Sequence, residues 1–221
     1  MARRITHVFV KILYFSILLF LPVLVTSCYP LFKHPISAPE KLKPDKNILG
    51  VWFRTVAVGG EQLSVFSRKD GWVEIVYVYG INSKFYKDGI NLLVFEGYST
   101  SVKEHKFLCL RPRKKDFLAM GRKGDKFDEV GFYIVNYDLS KKGNLIVKHF
   151  STEKVESLIN SGELSGRVSK TDLAEGRLTD GVVVTASSED LVRVISDKGF
   201  KAFVEETEQG MMIFSRIHDW D

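Results

Sequence analysis

Between Ile48 and Phe150, apolar side chains recur at about every second position, in short runs closed by glycine, asparagine or aspartate. ILGVWFRTVA, EQLSVFSR, WVEIVYVYG, NLLVFEG, KFLCLRP, GFYIVNYDL and LIVKHF are rich in Val, Ile, Phe and Tyr, the side chains that fit a pleated surface. Lys69-Asp70-Gly71, Lys87-Asp88-Gly89 and Lys141-Lys142-Gly143-Asn144 separate runs with residues that accept positive φ. Strands joined by such turns form an antiparallel meander. In LIVKHF the alternation puts Leu145, Val147 and His149 on one face, and Ile146 and Phe150 with Lys148 on the other. Several strands are apolar on both faces, which predicts a sheet covered on its second side by helices or by its own closure.

After Phe150 the period lengthens. STEKVESLINSG starts at Ser151, a good N-cap, groups Val155, Leu158 and Ile159, and stops at Gly162, suited to the left-handed position past a helix end. SSEDLVRVISDKG starts at Ser187 with Asp190 three residues on, an imperfect capping box, and groups Leu191, Val194 and Ile195 before Gly199. GVVVTA lies between them as a strand, a short helical turn is expected from Phe200 to Glu206, and MMIFSRI closes the series. Strands followed by helices mixed with strands predict an α+β fold. Its sheet is mainly antiparallel, or a partly closed barrel of about 8 to 10 strands, with two or three short C-terminal helices.

The front of the chain follows another pattern. Arg3, Arg4 and Lys11 precede an uncharged run of fourteen residues from Ile12 to Val25, interrupted by Pro22. A bilayer-spanning helix needs about 20 apolar residues, whereas a secretory signal combines a basic start, about 7 to 15 apolar residues and small residues at the cut. The run therefore reads as a signal. Val25-Thr26-Ser27-Cys28 resembles the lipobox of bacterial lipoproteins. That resemblance implies cleavage between Ser27 and Cys28, a diacylglyceryl group on Cys28 and acylation of the new amino terminus. Tyr29, not aspartate, follows the cysteine, which in enterobacterial-type sorting implies transfer to the outer membrane, facing the periplasm. Residues 29 to 47 hold four of the six prolines, and such a segment is expected to be an extended spacer reaching roughly 60 Å at most. The expected organisation is a signal peptide over 1–27, a lipidated cysteine with a proline-rich tether over 28–47, and one α+β domain over 48–221.

Removing the signal takes away three basic residues and no acidic ones, so the formal net charge falls from +5 to +2. A nucleic-acid partner is excluded on that balance, because such domains carry a concentrated basic face. With Cys28 lipidated only Cys109 is left, and no intramolecular disulfide can form. Cys109, inside KFLCLRP, reads as a buried inert thiol.

Two further resemblances concern the domain. GVWFRT, with Gly50 and Trp52, resembles the G-x-W signature of lipocalin-like barrels, in which the tryptophan plugs one end; the alternative is a core aromatic near a strand start. The order LGVWF, FEGYST, KFLCLRP, FYIVNYDL, STEKVESLINSGELSGRV and VVVTASSEDLVRVI is similar to a group of uncharacterised bacterial lipoproteins. The second resemblance implies a lipid anchor and one continuous domain, and brings no activity or site residues.

Catalytic signatures are scarce. His105, His149 and His218 are widely spaced and lack metal-ligand spacing, so no metal and no cofactor are expected. No serine occupies a G-x-S-x-G elbow. Asp128-Glu129 and Glu205-Glu206 are sequence neighbours, which point apart on a strand or a helix and read as solvated charge. The uneven feature is residues 111–126, where Arg111, Arg113, Lys114, Lys115, Arg122, Lys123 and Lys126 outweigh Asp116 and Asp125. Arg113, Lys114, Lys115, Arg122 and Lys123 are candidates for contact with an anionic envelope surface; a solvated hairpin is the alternative. The expectation is a lipoprotein of the cell envelope acting as a non-catalytic binding or accessory module, its partner an envelope protein, an anionic envelope component or a small apolar ligand. An envelope hydrolase with dispersed catalytic residues is the alternative.

Overall fold

In a computed structural model of the protein, the described residues are 29–37, 44–56, 59–81, 91–113, 131–168, 181–205 and 210–217. Eight strands close into an antiparallel barrel. They are β2 (Gly50–Val56), β3 (Gly59–Ser67), β4 (Val73–Ile81), β5 (Asn91–Val102), β6 (His105–Pro112), β7 (Tyr133–Leu139), β8 (Leu145–His149) and β11 (Met211–Arg216). Each pairs with the next in chain order, and β11 closes the ring between β8 and β2. The remaining strands, β1 (Leu31–Phe32), β9 (Gly166–Val168) and β10 (Val182–Val184), make a small sheet in the order β1-β10-β9. Two helices, α1 (Thr152–Asn160) and α2 (Ser188–Lys198), lie in sequence between β8 and β11.

The α+β expectation is corrected. The fold is mostly β, the sheet is fully closed, and a barrel strand follows the helices. Sequence alternation marks a two-faced strand but does not say whether the last strand returns to the first; the pairing of Ser215 with Phe53 and Arg216 with Trp52 decides that. Closure removes the exposed edges that an open sheet would leave.

Register sorts the two faces of the wall. Ile48, Trp52, Val65, Val73, Ile75, Leu108, Val135, Tyr137, Leu145, Val147 and Phe214 form one buried cluster inside the barrel. Tyr98, Val102, Phe107, Cys109 and Ile134, facing outward on β5, β6 and β7, join a second cluster with the small sheet and both helices. Five phenylalanines tie this outer layer together: Phe150 packs edge-on against Phe32, Phe200 and Phe203 at centroid distances of 5.0, 5.5 and 5.6 Å, and Phe107 reaches Phe200 at 5.3 Å. Such aromatic pairs add to the stabilisation from burial itself. The helices form where the sequence places them. Ser151 accepts from the Lys154 N–H, Ser187 from the Asp190 N–H, and Gly162 and Gly199 take φ of 75° and 74° past the helix ends.

The extended-spacer reading of residues 29–47 is corrected over its described parts. Leu31 and Phe32 pair in parallel with Val183 and Val184, and Phe32 exchanges hydrogen bonds with Phe132 at 2.9 and 2.6 Å. Ile36 is buried, Tyr98 Oη donates to the Ser37 carbonyl at 2.5 Å, and Ser188 Oγ donates to the Pro35 carbonyl at 2.7 Å. Residues 46–48 form a 3-10 turn capped by Asp45 that inserts Ile48 under the barrel. Prolines signal a lack of regular structure, but apolar Leu31, Phe32, Ile36 and Ile48 bring the segment onto the domain all the same.

Candidate functional site

The two ends of the barrel interior differ. At the end where β2 starts and β7 finishes, here the base, Trp52, Val65, Val73, Leu145 and Phe214 are buried and the space is filled. Trp52 Nε1 donates to the Ile48 carbonyl at 2.8 Å, and the Arg216 guanidinium lies over the indole at 4.6 Å. Trp52 thus stands in the core near a strand start at one end of a closed barrel, a placement that fits both the G-x-W resemblance and the core-aromatic alternative.

At the opposite end, the mouth, the inward positions are only partly covered. They are Arg54 on β2, Glu61 and Leu63 on β3, Tyr77 and Tyr79 on β4, Leu93 and Phe95 on β5, Leu110 on β6, Tyr133 on β7, His149 on β8 and Met212 on β11. Strand alternation with the measured register sets this face. Among the described residues the barrel is therefore a cup, packed below and only partly covered above, with a lining rich in aromatic rings. Tyr77 and Tyr79 stack at 5.7 Å, and Phe95 meets Tyr133 edge-on at 6.1 Å.

The Arg54–Glu61 pair, Tyr77 and His149 are polar features of this lining. Arg54 and Glu61, on paired strands, form an ion pair at 2.5 Å, and Arg54 also lies over the Phe214 ring at 5.2 Å. Burial first, and then a hydrogen bond to Glu61, push the Tyr77 hydroxyl well above the usual tyrosine range, so it stays protonated. His149 is the third. Burial, and secondarily the Arg54 charge, depress its pKa to about 4, which keeps the ring neutral at pH 7. Its Nε2 is buried and has no hydrogen-bond partner among the described residues. An orphaned buried nitrogen is uncommon and calls for an explanation. The Tyr29 ring stacks on the imidazole at 4.1 Å, so the residue next to Cys28 sits at the mouth-side end of β8.

The residues singled out from the sequence divide as follows. Ser27, Cys28, Lys114, Lys115, Arg122, Lys123 and His218 lie outside the described residues. Arg113 directly follows β6, and its Nη1 donates to Glu74 Oε2 at 2.9 Å. Arg111, two residues earlier, pairs with Glu96 at 2.9 Å and covers the Trp72 ring at 5.1 Å. The start of the basic run is therefore barrel wall whose charge is met by carboxylates. Cys109 is fully buried and burial pushes its thiol up to about 12, which makes it unreactive. His105 lies near Glu104 at 3.4 Å and against Phe200 on the outer face at the start of β6, whereas His149 faces inward at the end of β8. Neither histidine hydrogen-bonds to a serine among the described residues, so the serine–histidine arrangement of a hydrolase is not assembled there.

Sequence reasoning placed His149 on the Leu145–Val147 face but not in a cup. The Arg54–Glu61 pair was missed because its members are seven residues apart on different strands. An arginine and a glutamate facing each other across a hairpin, each between apolar inward neighbours, was the available signal. Compared with protein-family models, curated proteins and solved structures, the chain matches none of them.

Proposed function

We propose that the protein is a lipid-anchored binding module of the bacterial cell envelope, held through Cys28, whose barrel mouth takes up one small, uncharged, amphipathic ligand. The observation that carries the ligand reading is the buried, unpartnered His149 Nε2 within a half-open aromatic cup. A ligand hydroxyl or amide N–H donating to that nitrogen satisfies it. Arg54 and Glu61 neutralise each other and His149 is neutral, so the cup offers no net charge to compensate a charged ligand. Desolvating an unpaired charge is costly. Small-ligand sites are concave and mostly apolar, with a few placed polar groups, and this lining has that composition.

The anchor reading rests on the lipobox and its apolar run, and the placement of Tyr29 gives it a direction. A lipid on Cys28 would leave the molecule beside the mouth, and the β6–β7 connection, which carries Lys114, Lys115, Arg122 and Lys123, leaves and re-enters the barrel at that same end. The mouth would then face the bilayer, from which an amphipathic ligand can be drawn.

The test is equilibrium binding of N-phenyl-1-naphthylamine, an uncharged apolar fluorophore, to the purified protein. The reading expects about one equivalent bound saturably, with affinity reduced several-fold by Tyr77→Ala or Phe95→Ala. Absence of saturable binding, or equal binding by both variants in their folded form, contradicts it.

A further inference from the structure

The base of the barrel, outside the Trp52 plug, carries a second cavity of about 390 Å³. Among the described residues every charged side chain on its wall is basic: Lys46 from the 3-10 turn, Lys142 from the β7–β8 turn and Arg216 from the end of β11. Asn144 adds an amide, and Trp52 and Leu139 supply the apolar part. Neither lysine forms an ion pair among the described residues. The acid next to Lys46 in sequence, Asp45, is engaged elsewhere. Its carboxylate receives Lys106 Nζ at 2.9 Å and Tyr137 Oη at 3.2 Å on one oxygen, and the Asn47 N–H and amide on the other. Burial alone would raise the Asp45 pKa, but the bonds from Lys106 and Asn47 outweigh it and hold the carboxylate below its usual range.

Arg216 is positioned rather than loose. Its guanidinium lies over Trp52, and Nη2 donates to the Asn47 carbonyl at 2.7 Å and the Leu49 carbonyl at 3.2 Å. Among the described residues Nε and Nη1 have no hydrogen-bond partner. A planar guanidinium fixed in this way suits recognition of an oxyanion, and two flexible ammonium groups add point charges around it. Three cations facing one cleft repel each other, and a bound anion relieves that repulsion.

We infer that this basal cleft is a binding site for a small organic oxyanion, a phosphate ester or polycarboxylate, separate from the mouth and independent of the ligand proposed there. The oxyanion meets Arg216, Lys46 and Lys142, and a small organic body rests against Leu139 and the edge of Trp52 that borders the cleft.

The test is a two-dimensional amide and indole NMR titration of the full protein with inorganic phosphate and, separately, citrate, at ionic strength held constant with sodium chloride. Saturable shifts are expected at the Gly143 amide and the Trp52 indole N–H. Lys46→Gln with Lys142→Gln, both at exposed positions, should weaken binding about tenfold without disturbing the rest of the spectrum. Saturation by phosphate alone assigns a phosphate ester, by citrate alone a polycarboxylate, and by both an oxyanion of either kind. His149→Leu should leave these affinities unchanged, which separates this site from the mouth. Shifts that grow linearly with both probes, or equal affinity in the double variant, overturn the proposal.

Discussion

His149 is the residue on which most of the chemistry turns. Its folded pKa of about 4 lies below the ordinary value of 6.5 because burial disfavours the imidazolium. Between those values the unfolded chain binds the proton and the folded chain does not. Stability contributed by this group is therefore complete above about pH 6.5 and declines as the pH falls toward 4. Thermal unfolding followed by circular dichroism should give a lower midpoint at pH 5 than at pH 7, and His149→Gln should flatten that dependence. Asp45 contributes in a separate window, since its depressed carboxylate supports the fold above the unfolded value and loses that contribution only under more acidic conditions. His149 was assignable to a face from LIVKHF alone. Its depressed pKa was not, because that comes first from burial in the closed barrel and then from the Arg54 charge, both set by residues far away in sequence.

At the scale of elements, the strands with long alternating runs and the helices with serine caps were legible, because each carries its pattern within its own residues. The strands β1 and β9, two and three residues long, were not, since so short a piece has no period. They exist through pairing with β10, whose Val182, Val183 and Val184 are all buried. Phe32 links the segment after Cys28 to the outer aromatic cluster. Phe32→Ala should cost about 3 to 5 kcal/mol in urea unfolding, whereas an unpacked spacer would make the change nearly silent. Ser187→Ala removes the acceptor for the Asp190 N–H and should cost about 1 kcal/mol. Gly97 has a local reason of its own. A Cβ there would come within 2.2 Å of the Cys109 carbonyl oxygen, so Gly97→Ala should destabilise β5 against β6.

At the scale of the molecule, the closed barrel has two unlike ends, a neutral lining at the mouth and a basic cleft at the base. Closure was only half legible, because alternation predicts covered strands but the β11–β2 pairing joins the two ends of the domain. If Cys28 carries the lipid, Cys28→Ala should abolish radiolabelled palmitate incorporation; unchanged labelling would remove the anchor. The anchored orientation has its own consequence. Since Cys109 is inert, a bimane label on Thr55→Cys at the mouth should be quenched by brominated lipids in vesicles carrying the lipidated protein. A label on Ser101→Cys, toward the base, should not.

The most direct test of the ligand-binding barrel is native mass spectrometry of the protein gently extracted from its own membranes, compared with His149→Leu. The account predicts a mass excess of one small, uncharged molecule on the wild-type protein, diminished or lost in the variant, and recovered by organic extraction. A wild-type mass equal to that of the processed, acylated chain alone, or an excess retained in full by His149→Leu, would contradict it.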